Sequence, residues 1–92
     1  MTPIAAENHA LDALAWLLSQ DELVPVFLGS TGASIDDLRA AAARPDVLAS
    51  VLDFILLDDA WVLSCSETMK VPPETLLSAR AQLPGGGAVH WT

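Results

Sequence analysis

The sequence predicts an all-α protein, a compact bundle of five to six short helices. Hydrophobic residues make up 52% of the 92-residue chain and charged residues 17%, a composition that favours a folded core over disorder. Apolar side chains recur every three or four residues, as on one face of a helix, and no stretch alternates as a half-buried strand does. Prolines, glycines and capping residues separate these segments. We therefore expect one helical domain over residues 1–84 and a glycine-rich tail over residues 85–92.

The first helix is predicted over residues 4–19. Its inward face is expected to consist of side chains at helical spacing, namely Leu11, Leu14, Ala15 and Leu18. A second, short helix is expected to begin at Asp21, whose carboxylate can accept hydrogen bonds from the free amides of a first turn. It reaches Leu28, after which Gly32 offers a left-handed stop.

The third helix is predicted from a capping-box pattern, Ser34 followed by Asp37. Its inward side chains are expected to be Ile35, Leu38 and Ala41. The fourth helix begins at Pro45, since proline is preorganised for a first helical turn. One apolar stripe runs along it, formed by Val47, Leu48, Val51, Leu52 and Ile55 and widened by Phe54 and Leu56. We therefore predict that the fourth helix is the central and most enclosed one.

Two further helices complete the predicted bundle. Asp58 or Asp59 is expected to cap the fifth, because a carboxylate is favourable at a helix start. Its core face is predicted to be Trp61, Val62, Cys65 and Met69. Two prolines, at 72 and 73, open the sixth. Its inward side chains are expected to be Leu76, Leu77, Ala79 and Leu83.

A shift of 38 positions aligns the first half of the chain with the second. The helix break at Gly32 then falls on Lys70, and the helix start at Ser34 falls on Pro72. Caps, breaks and apolar positions agree as well, and these features set the local fold. The pattern indicates two three-helix units packed together, as a repeated motif would produce.

The charge of the chain narrows the choice of partners. Twelve carboxylates face only four lysines and arginines, which gives a net charge of −8. Nucleic-acid binding depends on cations that displace condensed counterions, so a nucleic-acid partner is disfavoured. Adhesion to anionic lipid is disfavoured for the same reason. A basic protein partner or a cation stays compatible with this charge.

Cysteine content and hydropathy indicate the cellular compartment in which the protein is expected. Cys65 is the single cysteine, so no internal disulfide and no thiolate metal cluster can form, and we expect a buried, inert thiol. The first residues lack the basic segment and long apolar core of a signal peptide. The most apolar run, residues 47–57, is too short to cross a bilayer. We therefore expect a cytoplasmic protein without a membrane segment.

Carboxylates are the main candidates for chemistry. Asp53 lies within the most apolar helix, and if it faces inward it must be paired or protonated. Its possible partners are Arg39, Arg44 and Arg80. Asp58 and Asp59, together with His9, could join it in a metal-dependent or acid-base enzyme. Adjacent helical residues point about 100° apart, however, and both positions suit capping. No catalytic residue, metal site or cofactor is assigned, and the enzyme is kept as the alternative hypothesis.

Aromatic residues favour a protein-interaction module without catalytic activity. Tryptophan is enriched at binding hot spots, and an incompletely covered helical bundle offers apolar surface to a partner or to a second copy. The residues considered for such contacts are Trp16, Trp61, His90 and Trp91. Trp91 either packs back into a groove of the domain or contacts a partner.

Several short groups of residues also carry a family resemblance. They are Phe27-Leu28, Thr31-Gly32, Leu38-Arg39, Pro45 with Leu48, Val51-Leu52-Asp53-Phe54, Asp58-Asp59, Pro73-Glu74, and Ala79-Arg80 with Leu83. Through these groups nearly the whole chain resembles the short bacterial proteins, mostly alphaproteobacterial, of the domain-of-unknown-function family 3572. The resemblance implies an all-helical, cytoplasmic protein and implies no activity.

Overall fold

Proline, glycine and capping residues divide the chain into six α-helices. The computed structural model describes residues 1–85, and no strand occurs within them. The α-helices are α1 (Pro3–Leu18), α2 (Val24–Thr31), α3 (Ile35–Arg39), α4 (Pro45–Ile55), α5 (Asp59–Met69) and α6 (Glu74–Ala81), with a 3₁₀ turn at Ala41–Ala43 between α3 and α4. The all-α prediction is confirmed. The division between a helical domain at 1–84 and a tail at 85–92 stays a prediction, because residues 86–92 lie outside the described part.

Three alanines and three larger apolar side chains form the inward face of α1. Thr2 caps this helix by accepting a hydrogen bond from the amide of Ala5. The buried side chains are Ala6, Ala10, Ala13, Leu14, Trp16 and Leu17. The predicted face was wrong in part, since Ala15 and Leu18 are exposed. Alanines let a helix backbone approach its neighbours closely, and α1 packs against α4, α5 and α6.

The start of α2 differs from the prediction. The helix begins at Val24 and has no side-chain cap, whereas Asp21 lies in the preceding turn. Pro25 explains the difference, because it has no N–H to donate and is tolerated only in the first helical turn. A start at Asp21 would put Pro25 where an amide donor is needed. The predicted left-handed stop is confirmed, since Gly32 has φ 74°.

The capping box of α3 is confirmed. The amide of Asp37 donates to the Ser34 hydroxyl at 3.1 Å, and the amide of Ser34 donates to the Asp37 carboxylate at 2.9 Å. Leu38 and Ala41 are buried as predicted, but Ile35 is exposed. Ile35 occupies the first position of a helix of five residues, so this short element turns only its other end towards the core.

The apolar stripe of α4 forms the centre of the core, as predicted. Its buried residues are Val47, Leu48, Ala49, Val51, Leu52, Phe54 and Ile55. The Phe54 ring contacts the edge of Phe27 with ring centroids 5.4 Å apart, and it stacks on Trp61 at 4.9 Å. These aromatic contacts join α2, α4 and α5.

The last two helices also pack against α1. Asp58 caps α5 as predicted, accepting hydrogen bonds from the amides of Ala60 and Trp61. Cys65 and Ser66 are buried on α5, whereas the other predicted core residues of that helix, Trp61, Val62 and Met69, are half-buried. On α6 and just beyond it, Leu76, Ala79 and Leu83 are buried. Leu77 is exposed, which corrects the prediction, because it lies about 100° around the helix from Leu76.

The repeat seen in the sequence coincides with the helix boundaries. A shift of 38 places α1 over the 3₁₀ turn and α4, and it makes the last residue of α2 coincide with the last residue of α5. Lys70 then occupies the position of Gly32 and shares its left-handed backbone, with φ 60°. It is the only residue other than glycine with a positive φ among residues 1–85.

Lys70→Gly should therefore stabilise the protein, by about 0.5–1 kcal/mol, because glycine adopts this conformation without a steric penalty. Urea unfolding at neutral pH measures the change. Glu67→Gly is the matched control, since it places glycine at an exposed position inside α5, where about 1 kcal/mol should be lost. A destabilised Lys70→Gly protein would contradict the assigned helix end.

The capping box should make stability depend on pH. The pKa of Asp37 lies below its usual value of 3.8, chiefly because the Ser34 amide donates to the carboxylate. The folded-state pKa is thus lower than the unfolded one. The stabilisation that the ionised Asp37 carboxylate contributes is therefore complete above pH 3.8. It is lost as the pH falls through the pKa of Asp37 in the folded state.

Asp37→Asn should accordingly be less stable than the parent protein at pH 7 and nearly equal to it at the lowest accessible pH. Urea unfolding over a pH series tests this. The control is Asp36→Asn, whose carboxylate is 91% exposed and lies 3.6 Å from Arg39. For each variant, the free energy of unfolding is compared with that of the parent protein. If both stability differences changed equally with pH, the capping box would not be the cause of the pH dependence.

Candidate functional site

Asp53 is paired with Arg80, one of the three partners that the sequence offered. Arg80 donates two hydrogen bonds to the Asp53 carboxylate, from Nε at 2.5 Å and from Nη2 at 3.1 Å. Its Nη1 donates to the carbonyl of Pro84 at 2.8 Å. The pair is not enclosed, because 57% of the Asp53 side chain is exposed. One guanidinium thus joins α4, α6 and the segment that follows α6.

The carboxylates of the alternative enzyme hypothesis do not converge in the described structure. Asp53 binds Arg80, Asp58 caps α5, and Asp59 is exposed in the first turn of that helix. His9 lies on α1. Among residues 1–85, no three histidine, cysteine or acidic side chains lie close enough to hold a metal ion. The arrangement explains the three aspartates as an ion pair and helix-start charges.

The tryptophans occupy different environments. Trp16 is only 4% exposed, and its indole Nε1 donates to the Ser64 hydroxyl at 3.2 Å, so this ring fastens α1 to α5. Trp61 is half-buried and stacks on Phe54. His90 and Trp91 lie outside the described residues.

Cys65 has the properties of a structural thiol. It is fully buried, and its Sγ lies 3.6 Å from the Met69 sulfur. Burial raises the pKa of the thiol to about 11, and the negative charge of Asp12 adds to the shift. The reactive thiolate is therefore scarce at neutral pH.

An apolar stripe remains on the outside of α1. We call it the outer stripe and define it by Ile4, Leu11, Ala15 and Leu18. Ile4 is 73% exposed and Leu18 47%. Ala15 is exposed and Leu11 is half-buried. With about 100° of rotation per residue, these positions share one face of the helix, and no other described residue covers that face fully.

Two carboxylates flank the outer stripe. Glu7 and Asp12 lie on its two sides at helical spacing. Residues 1–38 contain no lysine or arginine and six carboxylates, namely Glu7, Asp12, Asp21, Glu22, Asp36 and Asp37. The three arginines form ion pairs with Asp36, Asp37, Asp46 and Asp53. No ion pair within residues 1–85 neutralises the carboxylates of α1.

A second surface lies between α2 and α4. This α2–α4 groove has a volume of about 340 Å³. Its lining residues are Ser30, Thr31, Ser50, Asp53, Phe54 and Leu57. Phe54 is buried, whereas Leu57 is 78% exposed. The groove therefore combines an apolar wall, three hydroxyls and one carboxylate.

The outer stripe was not predicted from the sequence, because larger apolar side chains of α1 were expected to face the core. Ala15 and Leu18 were assigned to the core face but are exposed, whereas Leu11, assigned to the same face, is half-buried and packs against the core. The buried alanines at 6, 10 and 13 were not considered. The spacing of these alanines could have indicated the outer stripe. They follow the same helical period as Leu14 and Leu17 and therefore define the buried face of α1, which leaves the stripe on the opposite side.

Together, the helices and their surfaces define a small acidic all-α bundle. None of its described helices is long and apolar enough to cross a membrane. The family model described as protein of unknown function (DUF3572) matches residues 4–86, so the chain belongs to this family. No curated protein and no solved structure matches the chain significantly.

Arg80→Lys should destabilise the protein almost as much as Arg80→Met, by about 1–2 kcal/mol. A lysine keeps the charge but cannot bridge the Asp53 carboxylate and the Pro84 carbonyl with one ammonium group. Urea unfolding measures the loss. Arg39→Lys is the matched control, because both side chains of its ion pair are largely exposed and such pairs contribute little. Full retention of stability in Arg80→Lys would show that charge alone matters.

Proposed function

We propose that the domain is a protein-interaction module without catalytic activity, and that it binds a basic amphipathic helix along the outer stripe. The observation that carries the proposal is an apolar row between carboxylates, in which Ile4, Ala15 and Leu18 are exposed and Leu11 is half-buried. Isolated apolar side chains are common on protein surfaces, but an aligned row is characteristic of an interaction site.

The spacing of the outer stripe suits a helical partner. Ile4, Leu11 and Leu18 are seven residues apart, and the row extends over about 21 Å of helix. Helical ligands present anchors with the same period, at i, i+3 or i+4, and i+7. Two such helices can pack with their side chains interdigitated along this length.

Charge selects the partner among the classes that the sequence left open. Lysines and arginines beside the apolar anchors of a partner would meet Glu7 and Asp12. A second copy of this chain would instead bring identical carboxylates together, so self-association through this face is disfavoured. Nucleic acid and anionic lipid are disfavoured by the net charge of −8. The proposed partner is therefore a basic protein segment.

The remaining assignments belong to the same proposal. A cytoplasmic setting suits a protein whose single cysteine is a free thiol. Trp16 would act indirectly, by holding α1 in place through Ser64. A contact of Trp61 with a partner stays a prediction.

A pair of designed peptides tests the proposal. One is an 18-residue amphipathic helix of leucine and lysine, and the other has glutamate in place of each lysine. We expect saturable binding of the lysine peptide in calorimetry, weakened by added salt because the attraction is partly electrostatic. The glutamate peptide should not bind.

Matched double variants locate the contact. Ile4→Gln with Leu18→Gln should weaken binding of the lysine peptide at least tenfold, equivalent to about 1.4 kcal/mol. Leu63→Gln with Leu77→Gln removes two comparably exposed leucines, at 58% and 62%, and should leave binding unchanged. Equal losses in the two double variants would refute the assignment of the outer stripe. Circular dichroism checks that both remain folded.

A further inference from the structure

We propose that the groove between α1 and α5 takes an arginine side chain of the partner helix, with the Asp12 carboxylate bound to its guanidinium. This site rests on the function proposed for the outer stripe, and it adds the chemistry that selects one basic helix over another. It depends on the position of the groove, on the charge within it and on the groups around that charge.

The α1–α5 groove lies directly beside the outer stripe. Its volume is about 420 Å³, and its lining residues are Asp12, Ala15, Trp16, Ser19, Thr68 and Met69. Ala15 belongs both to the groove and to the outer stripe. Asp12 and Ser19 each follow a leucine of the stripe by one residue, which places them about 100° further around α1. A helix packed on the stripe therefore has one flank over this groove.

The groove contains one carboxylate without a cation. Asp12 is exposed, and none of the ion pairs among residues 1–85 includes it. Its charge is felt on α5, because it adds to the raised pKa of the Cys65 thiol, which burial chiefly causes. A cationic side chain placed between the two helices would therefore gain a charge-assisted hydrogen bond.

The hydroxyls around Asp12 favour arginine over lysine. Ser19 donates its hydroxyl hydrogen to the Trp16 carbonyl at 2.6 Å, so its oxygen is left as an acceptor. Thr68 is exposed on α5 and offers a second hydroxyl. A guanidinium can bind a carboxylate with two of its five N–H groups and donate the others to hydroxyls. An ammonium is instead a compact, strongly hydrated point charge.

The apolar residues of the groove suit the stem of the same side chain. Ala15 is exposed and Met69 is half-buried, so both can contact the methylene groups of an arginine. Trp16 is 4% exposed and forms the base of the groove, with its indole N–H bound to Ser64. An arginine can therefore enter without displacing a core side chain.

Two peptides that differ only in their cation test the inference. One is the leucine–lysine helix described above, and the other has arginine in place of each lysine. In calorimetry the arginine peptide should bind roughly tenfold more tightly, a difference of the size that groups in direct contact show. Asp12→Asn should reduce this preference to roughly twofold or less, because the guanidinium loses its bidentate partner.

Glu7→Gln is the matched control, since it removes one charge on the other side of the outer stripe and leaves the groove intact. It should weaken both peptides by a similar factor and preserve the preference for arginine. Thr68→Val alters only the α5 wall, and it should lower the preference partway without changing the affinity for the lysine peptide. Circular dichroism checks that the variants remain folded, and Thr68→Val still tests the site if Asp12→Asn unfolds.

The arginine site and the proposed function can fail separately. Equal affinities of the two peptides for the parent protein would overturn the site and leave the proposed function standing. A preference for arginine that survives both Asp12→Asn and Thr68→Val, or that Glu7→Gln abolishes equally, would also overturn the site, because charge alone would then explain the preference. Binding of neither peptide would refute the proposed function and this inference with it.

Discussion

The close packing of α1 against α4 is the constraint on which the rest of the fold depends. These two helices hold corresponding positions in the 38-residue repeat and contribute most of the fully buried side chains. The alanines at 6, 10 and 13 keep the contact face of α1 flat, so that neighbouring backbones can approach closely. The leucines and valines of α4 then fill the space between the units. Helices α2, α5 and α6 are no longer than α4, and they gain stability mainly by covering part of this central pair.

Local chemistry explains why the helix breaks were predictable. A capping box, a helix-start proline and a left-handed glycine act within a few residues, so their effect can be recognised without a fold. The start of α2 was misplaced because Pro25, four residues after Asp21, was expected only to weaken a helix capped by Asp21, whereas it delays the start of the helix to Val24. The inward faces were less predictable. Ile35, Leu18 and Leu77 are apolar, and only the arrangement of neighbouring helices determines that they face solvent.

At the candidate site, too, the sequence alone does not determine which residues come into contact. The sequence indicated that Asp53 needs a cation and named three arginines, but it could not choose among them, because Arg80 is 27 positions away and reaches Asp53 only through the packing of α6. Trp16 is a similar case. Its burial against Ser64 depends on the α1–α5 contact, whereas composition alone made it a candidate for the surface. Asp58, whose capping role is local, was assigned correctly, whereas the partner of Asp53 and the burial of Trp16 depend on long-range contacts that the sequence does not specify.

The distribution of charge separates carboxylates that are paired within the fold from those on which the proposed function depends. Each arginine pairs with carboxylates of α3 or α4, and all of these carboxylates lie at or after Asp36. Glu7 and Asp12 have no such role, although they flank an exposed apolar row whose burial would stabilise the protein. A surface optimised for stability alone would place cations among these acids or polar groups in the row. Both features become favourable together when a basic, apolar helix covers them, and this is the physical basis of the interaction proposed for α1.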